Sequence, residues 1–231
     1  MQDKKLISDQ LKSDRIRSFI CSWYHDDEGE LGQLYRSAVS RNIPVIRQDM
    51  RELLRLLLSM QRPGRILEIG TAVGYSTLFM SSCLPEVEIT TLELDPVRAK
   101  EARERFQAFG KGSIIRLLEG DAAKVLETLS GTYDFVFIDA AKAQYDSYFR
   151  LLRRLVHPGT VVVSDNVLQE GNILESHFSV EKRDRTIHDR MRDYLKMLTA
   201  TPGLITTILD VGDGAAITFI SEEWIKEPEA I

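Results

Sequence analysis

Cysteine is nearly absent: the 231 residues include two, Cys21 and Cys83, with no paired Cys/His spacing around either. A disulfide framework and a structural zinc site are therefore not expected, and the usage fits a reducing, cytoplasmic setting. Long apolar runs are missing as well. None approaches the roughly 18 residues of a membrane span, and the opening Met-Gln-Asp-Lys-Lys leads into a charged amphipathic segment rather than a signal-peptide core, so no membrane partner is expected. Nor is there an excess of positive charge. Lys and Arg number 30 against 35 Asp and Glu, a formal net charge of −5, which argues against non-specific electrostatic binding of nucleic acid but leaves room for a local basic face. No internal repeat, low-complexity tract or long linker interrupts the chain. With 43% hydrophobic residues it can bury a sizeable core, most simply as one α/β domain over 44–231 behind a helical extension over 1–43.

What is present centres on residues 65 to 76, Arg-Ile-Leu-Glu-Ile-Gly-Thr-Ala-Val-Gly-Tyr-Ser. Ile66, Leu67 and Ile69 form a short apolar run that stops at Gly70; Gly74 follows, and helix-compatible sequence begins at Tyr75. That is the pattern of a buried parallel strand turning into a helix. Such a turn can seat a ligand, because glycines admit it close to the backbone and the first N–H groups of the helix are free. Glu68 stands where the dinucleotide fingerprint G-x-G-x-x-G has its first glycine. A carboxylate there would repel a pyrophosphate and suits the sulfonium and ammonium groups of S-adenosylmethionine. A ligand-free structural turn is the alternative.

Helices are expected over 3–22, 29–41 and 49–60, with a break at Pro44. Strands over 65–69, 87–93, 113–118, 134–139 and 159–164 then alternate with helices over 75–84, 96–109, 121–130 and 142–156, which implies a parallel doubly wound sheet. A loop over 166–179 and a charged helix over 181–199 come next. Strands over 204–209 and 215–220 flank Gly212-Asp213-Gly214, a hairpin signal, and close the seven-stranded sheet with an antiparallel edge.

Ligands in such sheets sit beyond the carboxyl ends of the strands. Glu93, at the end of the second strand and about twenty residues past the glycine turn, can accept both hydroxyls of a ribose. Asp121, after the third strand, can meet an adenine amino group or simply cap the next helix. Asp139, Asp165 and Asn166 emerge at adjacent strand ends, three hard oxygen donors that suit Mg²⁺ with open positions, unless the aspartates only cap following elements. Lys142, three residues past Asp139, can take a proton from an acidic hydroxyl or stabilise the resulting oxyanion; a solvated lysine is the plainer alternative.

The combination of Leu-Glu-Ile-Gly-Thr-Ala-Val-Gly-Tyr-Ser at 67–76, Phe-Ile-Asp-Ala-Ala-Lys at 137–142 and Ser-Asp-Asn-Val-Leu at 164–168 resembles the catechol-type, metal-dependent O-methyltransferases, over about 44–220. The resemblance implies a Rossmann-like S-adenosylmethionine fold. It places Glu68, Gly70 and Ser76 at the methionine part of the cofactor, Glu93 on the ribose, Asp121 and Ala122 on the adenine side, and Ile46 and Asp139 at the cofactor's border. It also implies a metal held by Asp139, Asp165 and Asn166, a base in Lys142, and a homodimer. Within the family, Asn-Ile-Pro-Val-Ile at 42–46, Glu-Lys-Arg-Asp-Arg at 181–185 and Val-Gly-Asp-Gly-Ala-Ala-Ile at 211–217 are most similar to the bacterial branch acting on 5-hydroxyuridine at the tRNA wobble position.

The expected reaction is accordingly methyl transfer to the 5-oxygen of that nucleoside in the tRNA anticodon, giving 5-methoxyuridine, with small catechols or other vicinal phenols as the alternative acceptors. Lys182, Arg183, Arg185, Arg190, Arg192, Arg41, Arg47 and Arg51 are expected to rim the site for phosphates, or else to form a solvated face among Glu181, Asp184 and Asp189. A non-catalytic cofactor-binding protein is disfavoured by the intact metal and lysine positions.

Overall fold

The structure is a computed structural model that describes residues 15–226. The first expected helix lies partly outside the described residues; its described part is helical over 15–21 (α1). Next come α2 (Gly29–Ser40), α3 (Gln48–Gln61), β1 (Arg65–Ile69), α4 (Tyr75–Cys83), β2 (Glu88–Glu93), α5 (Pro96–Ala108), β3 (Ile115–Glu119) and α6 (Ala122–Thr128). The chain continues through β4 (Tyr133–Ile138), α7 (Tyr145–Leu152), β5 (Val156–Ser164), α8 (Arg185–Ala200), β6 (Leu204–Leu209), β7 (Ala215–Ile220) and α9 (Glu222–Lys226).

The strand order is β3-β2-β1-β4-β5-β7-β6. Strands β1 to β5 are parallel, and β7 runs antiparallel between β5 and β6. This is the expected Rossmann-like sheet with an antiparallel hairpin at its C-terminal end. Its central strands read as near-continuous apolar runs because helices cover both faces. Alternate residues divide between the two cores: Leu67, Ile69, Val136 and Ile138 pack with Tyr145, Phe149 and Tyr194, whereas Ile66, Phe135 and Phe137 pack with Leu58, Phe79 and Phe106. Strand order reverses between β1 and β4, which opens a crevice at their carboxyl ends.

Most boundaries fall within two residues of the expected ones, and the larger differences lie around β5 and α8. The helix read over 142–156 is a 3-10 turn at Lys142–Gln144 followed by α7, and β5 starts at Val156, earlier than 159. Its pairing with β4 jumps from Tyr133↔Val156 to Phe135↔Val161, so Pro158 and Gly159 sit in an irregularity inside the strand instead of a turn before it. The charged helix begins at Arg185, leaving 181–184 as a turn, and the loop after β5 contains a 3-10 segment, Gln169–Leu174, kinked by left-handed Glu170 and Gly171.

Residues before the sheet are tied to it. Arg51 of α3 is 2% exposed, forms an ion pair with Asp27 at 3.3 Å and donates to the His25 carbonyl. The Tyr75 hydroxyl, on the first residue of α4, donates to the same Asp27, and Leu34 of α2 joins the core around Phe79. The boundary at 43/44 is therefore crossed by buried polar and apolar contacts.

Candidate active site

The crevice is a cleft of about 560 Å³ whose walls include Ile46, Gly70, Ser76, Glu93, Asp121, Ala122, Asp139, Lys142 and Asn166. Its floor depends on Gly70, which has φ +105° and no room for a side chain: a Cβ there would lie 2.0 Å from the Asp139 carbonyl oxygen. The Asp139 N–H donates to the Ile69 carbonyl at 2.9 Å, so the ends of β1 and β4 close on one another. Gly74, at φ +83°, then turns the chain into α4, where a Cβ would meet the Phe106 ring at 2.6 Å.

Glu93 is 8% exposed and held by two backbone donors, Ala72 N–H at 2.7 Å and Asp95 N–H at 2.9 Å. A carboxylate oxygen can accept more than one hydrogen bond, so this fixed group keeps acceptor capacity toward the cleft. Asp121 does what the capping alternative asked, accepting from Lys124 N–H at 3.2 Å as N-cap of α6, while also lining the cleft.

Glu68 is placed differently from a ligand-facing carboxylate. It is fully buried behind the turn, absent from the cleft walls, and accepts hydroxyls from Ser76 at 2.5 Å, Thr91 at 2.6 Å and Thr77. Burial pushes its carboxyl up from 4.5 to about 7 against the opposing pull of those three donors. Its hydrogen bonds reach the cleft through Ser76, which lines it, and through Thr91 to Thr71, which lines it as well.

At the far end, Asp139, Asp165 and Asn166 line a side chamber of about 240 Å³ with Arg47 and Asp213. Asn166, in a left-handed conformation at φ 59°, donates its side-chain amide to Asp139 at 2.9 Å and its backbone N–H to Asp165 at 2.7 Å. Burial raises the Asp139 carboxyl; burial and then the Asp139 charge raise Asp165 well above the ordinary value. Two carboxylates that resist ionising together are relieved by a divalent cation. Among the described residues no three His, Cys, Asp or Glu side chains enclose a metal position. The donor set is thus two carboxylates and an amide, hard and incomplete, which fits Mg²⁺ with positions left for water or an acceptor.

Sequence reasoning missed Asp213. Lys142 points its ammonium at this residue, Nζ to Oδ2 3.6 Å, from the wall of the same cleft. The Gly-Asp-Gly run reads as a hairpin turn, and its aspartate as turn chemistry.

The arginines of the expected basic rim all have partners within the molecule, several of them at exposed positions. Arg51 is buried with Asp27, Arg41 pairs with Glu101, and Arg183 with Glu181 and Asp184. Arg185, Arg190 and Arg192 donate to the carbonyls of Val180, Ala143 and Ile173. Arg47 lines the cleft and donates to the Gly212 carbonyl at 3.3 Å.

Comparison with known proteins gives concordant findings. A family profile described as "O-methyltransferase" matches residues 23–220. A catechol O-methyltransferase of Niastella koreensis is 35% identical over 177 residues, covering 72% of this chain and 78% of its own. One of Mycobacterium tuberculosis is 31% identical over 214 residues, covering 89% and 94%. The crystal structure of an O-methyltransferase from Bacillus cereus in complex with SAH superposes with a TM-score of 0.77 at 25% identity, over 90% of this chain and 97% of that one.

Proposed function

The chain belongs to the O-methyltransferase family, and we propose that it moves the methyl group of S-adenosylmethionine to one oxygen of a vicinal pair, in the manner of a catechol methyltransferase using Mg²⁺. The observation that carries this reading is the continuity of one cleft from Glu93 and Asp121 to Asp139, Asn166 and Lys142. The SAH bound to the Bacillus cereus relative is the demethylated form of the same cofactor. The catechol named for two relatives presents two neighbouring oxygens.

Glu93 receives the ribose hydroxyls, since its carboxylate is already fixed by backbone donors and pays little ordering entropy on binding. The glycine turn lets the methionine portion lie against the backbone, with the Ser76 hydroxyl steadied from behind by Glu68. Bound by Asp139, Asp165 and Asn166, Mg²⁺ would supply Lewis acidity that orients the acceptor oxygens and favours loss of the hydroxyl proton. In the transfer, an oxygen lone pair forms the new O–C bond while the C–S bond breaks and its electrons neutralise the sulfonium. Before the transfer the hydroxyl proton passes to solvent at the cleft mouth, and Lys142, as an ammonium beside Asp213, donates to the oxyanion so formed until the new O–C bond consumes its charge.

A 5-hydroxyuridine in tRNA is a second reading, because its 5-hydroxyl and 4-carbonyl oxygens form an equivalent pair. Its support is the similarity of the 42–46, 181–185 and 211–217 stretches; the internal pairing of the arginines weakens the phosphate rim it calls for. The test is to offer the purified protein, with Mg²⁺ and cofactor, a panel of catechols and a tRNA bearing 5-hydroxyuridine. Turnover of catechols is the expected result. Methylation confined to the tRNA would replace the acceptor in this proposal, and methylation of neither would overturn it.

A further inference from the structure

Asp213 is presented to the cleft by a loop hydrogen-bonded on both sides. Gly212 and Gly214 flank it at φ +62° and +87°, and a Cβ on Gly214 would lie 2.2 Å from the Leu168 side chain. Gly212 N–H donates to Asp49 at 2.8 Å, Leu168 N–H to the Asp213 carbonyl at 2.9 Å and Val167 N–H to the Gly214 carbonyl at 3.0 Å, so the loop is pinned from α3 and from the segment after β5. One Asp213 oxygen, Oδ1, accepts the Glu170 N–H; the other, Oδ2, faces Lys142. The side chain is 8% exposed. A buried carboxylate with one oxygen committed to the backbone and the other aimed at a cleft-lining ammonium has a specific task.

That task follows from where the ammonium would otherwise go. Lys142 projects from the turn after β4, and its charge already acts on both Asp139 and Asp165. These two carboxylates are mutually repulsive, and while Arg47 of the same chamber donates to the Gly212 carbonyl, a flexible lysine on the adjoining cleft wall is a second cation able to satisfy them. Yet its ion pair is with Asp213, the only carboxylate it reaches within 4.0 Å among the described residues.

We propose that Asp213 is a positioning residue that holds the Lys142 ammonium at the acceptor end of the cleft and away from the Asp139–Asp165 pair, reserving that pair for a divalent cation. The inference deepens the methyl-transfer reading and rests on it. It gives the hairpin loop a role in the reaction that a simple turn would not have.

The test is a double-mutant cycle in the full chain with Asp213→Asn, Lys142→Ala and the double variant, read by Mg²⁺ calorimetry and by turnover of a catechol. Asn keeps an oxygen for the Glu170 N–H and removes the charge that holds the lysine. With Lys142 present, Asp213→Asn should weaken Mg²⁺ by about fivefold or more and lower kcat by a similar factor, with the KM for cofactor within about twofold. In the Lys142→Ala background the same substitution should change both by less than about twofold. Equal losses in both backgrounds would overturn the proposal, because Asp213 would then act directly on the cation or the fold. So would an unchanged Asp213→Asn variant, or one that fails to fold while Lys142→Ala folds. Calorimetry needs no turnover: Mg²⁺ binding with an additive cycle refutes only this inference, whereas a wild type that binds no Mg²⁺ refutes the metal reading as well.

Discussion

Replacing Glu68 with Gln should change how stability depends on pH. The carboxyl is fully buried, so little solvent screening discounts its electrostatics, and burial lifts it from 4.5 to about 7. At about 1.4 kcal/mol per pH unit, that displacement is worth about 3 kcal/mol. Below pH 4.5 folded and unfolded chains both hold the proton and nothing is lost. Between 4.5 and 7 the unfolded chain releases it while the folded one keeps it, so stability falls as pH rises and the loss is complete above 7. Asp139 and Asp165 are displaced in the same direction and would blur the wild-type curve alone. The variant removes this one titration while Ser76, Thr77 and Thr91, whose hydroxyls can donate or accept, still meet an amide. Urea unfolding of both proteins at pH 5 and pH 8, in EDTA, should show the wild type losing about 2.5 kcal/mol more than Glu68→Gln across that range, since part of the loss already lies below pH 5. Parallel curves would refute the buried, proton-retaining carboxyl.

Gly70→Ala should abolish cofactor binding and destabilise by about 2 kcal/mol or more, since the added Cβ meets the Asp139 carbonyl oxygen at 2.0 Å; calorimetry and thermal melts measure the two effects. Glu93→Ala should weaken cofactor by about tenfold or more, through loss of charge-assisted bonds to the ribose, and unchanged affinity in a folded variant would remove the assignment. Excess EDTA should abolish turnover and Mg²⁺ should raise the melting temperature of the wild type, with neither response in Asp165→Ala; full activity in EDTA would exclude the metal role.

Much of this architecture is legible in the chain because local and global preferences agree. The largely apolar runs Arg65–Ile69 and Tyr133–Ile138, each bounded by turn signals, read as strands covered on both faces, and Gly212-Asp213-Gly214 as a tight turn. The residues that set the cleft lie at strand ends, where topology brings them together. Legibility fails where a residue's meaning depends on what faces it. Pro158-Gly159 looks like a turn and is an irregularity within β5. Glu68 has the charge for a ligand, but three hydroxyls on α4 and β2 claim it. The arginines of 183–192 show in the sequence as charge alone, without the carbonyls and carboxylates that they also contact. Asp213 hides because its loop explains it twice, as a turn and as a site.

The Asp27 junction bears on which stretch of this chain could be inherited or recombined as a unit. A segment cut at Pro44 carries all the strands, yet it would strip the Arg51 guanidinium of Asp27 and the His25 carbonyl, leaving it Glu52 alone, and would take away the acceptor of the Tyr75 hydroxyl, at about 1–3 kcal/mol for each hydrogen-bonding group left unmatched. Those penalties are a sizeable share of the net stability of a typical domain. Shuffling between relatives should therefore tolerate crossovers upstream of Tyr24 and reject them between 27 and 51 unless both ends of the Asp27 junction travel together.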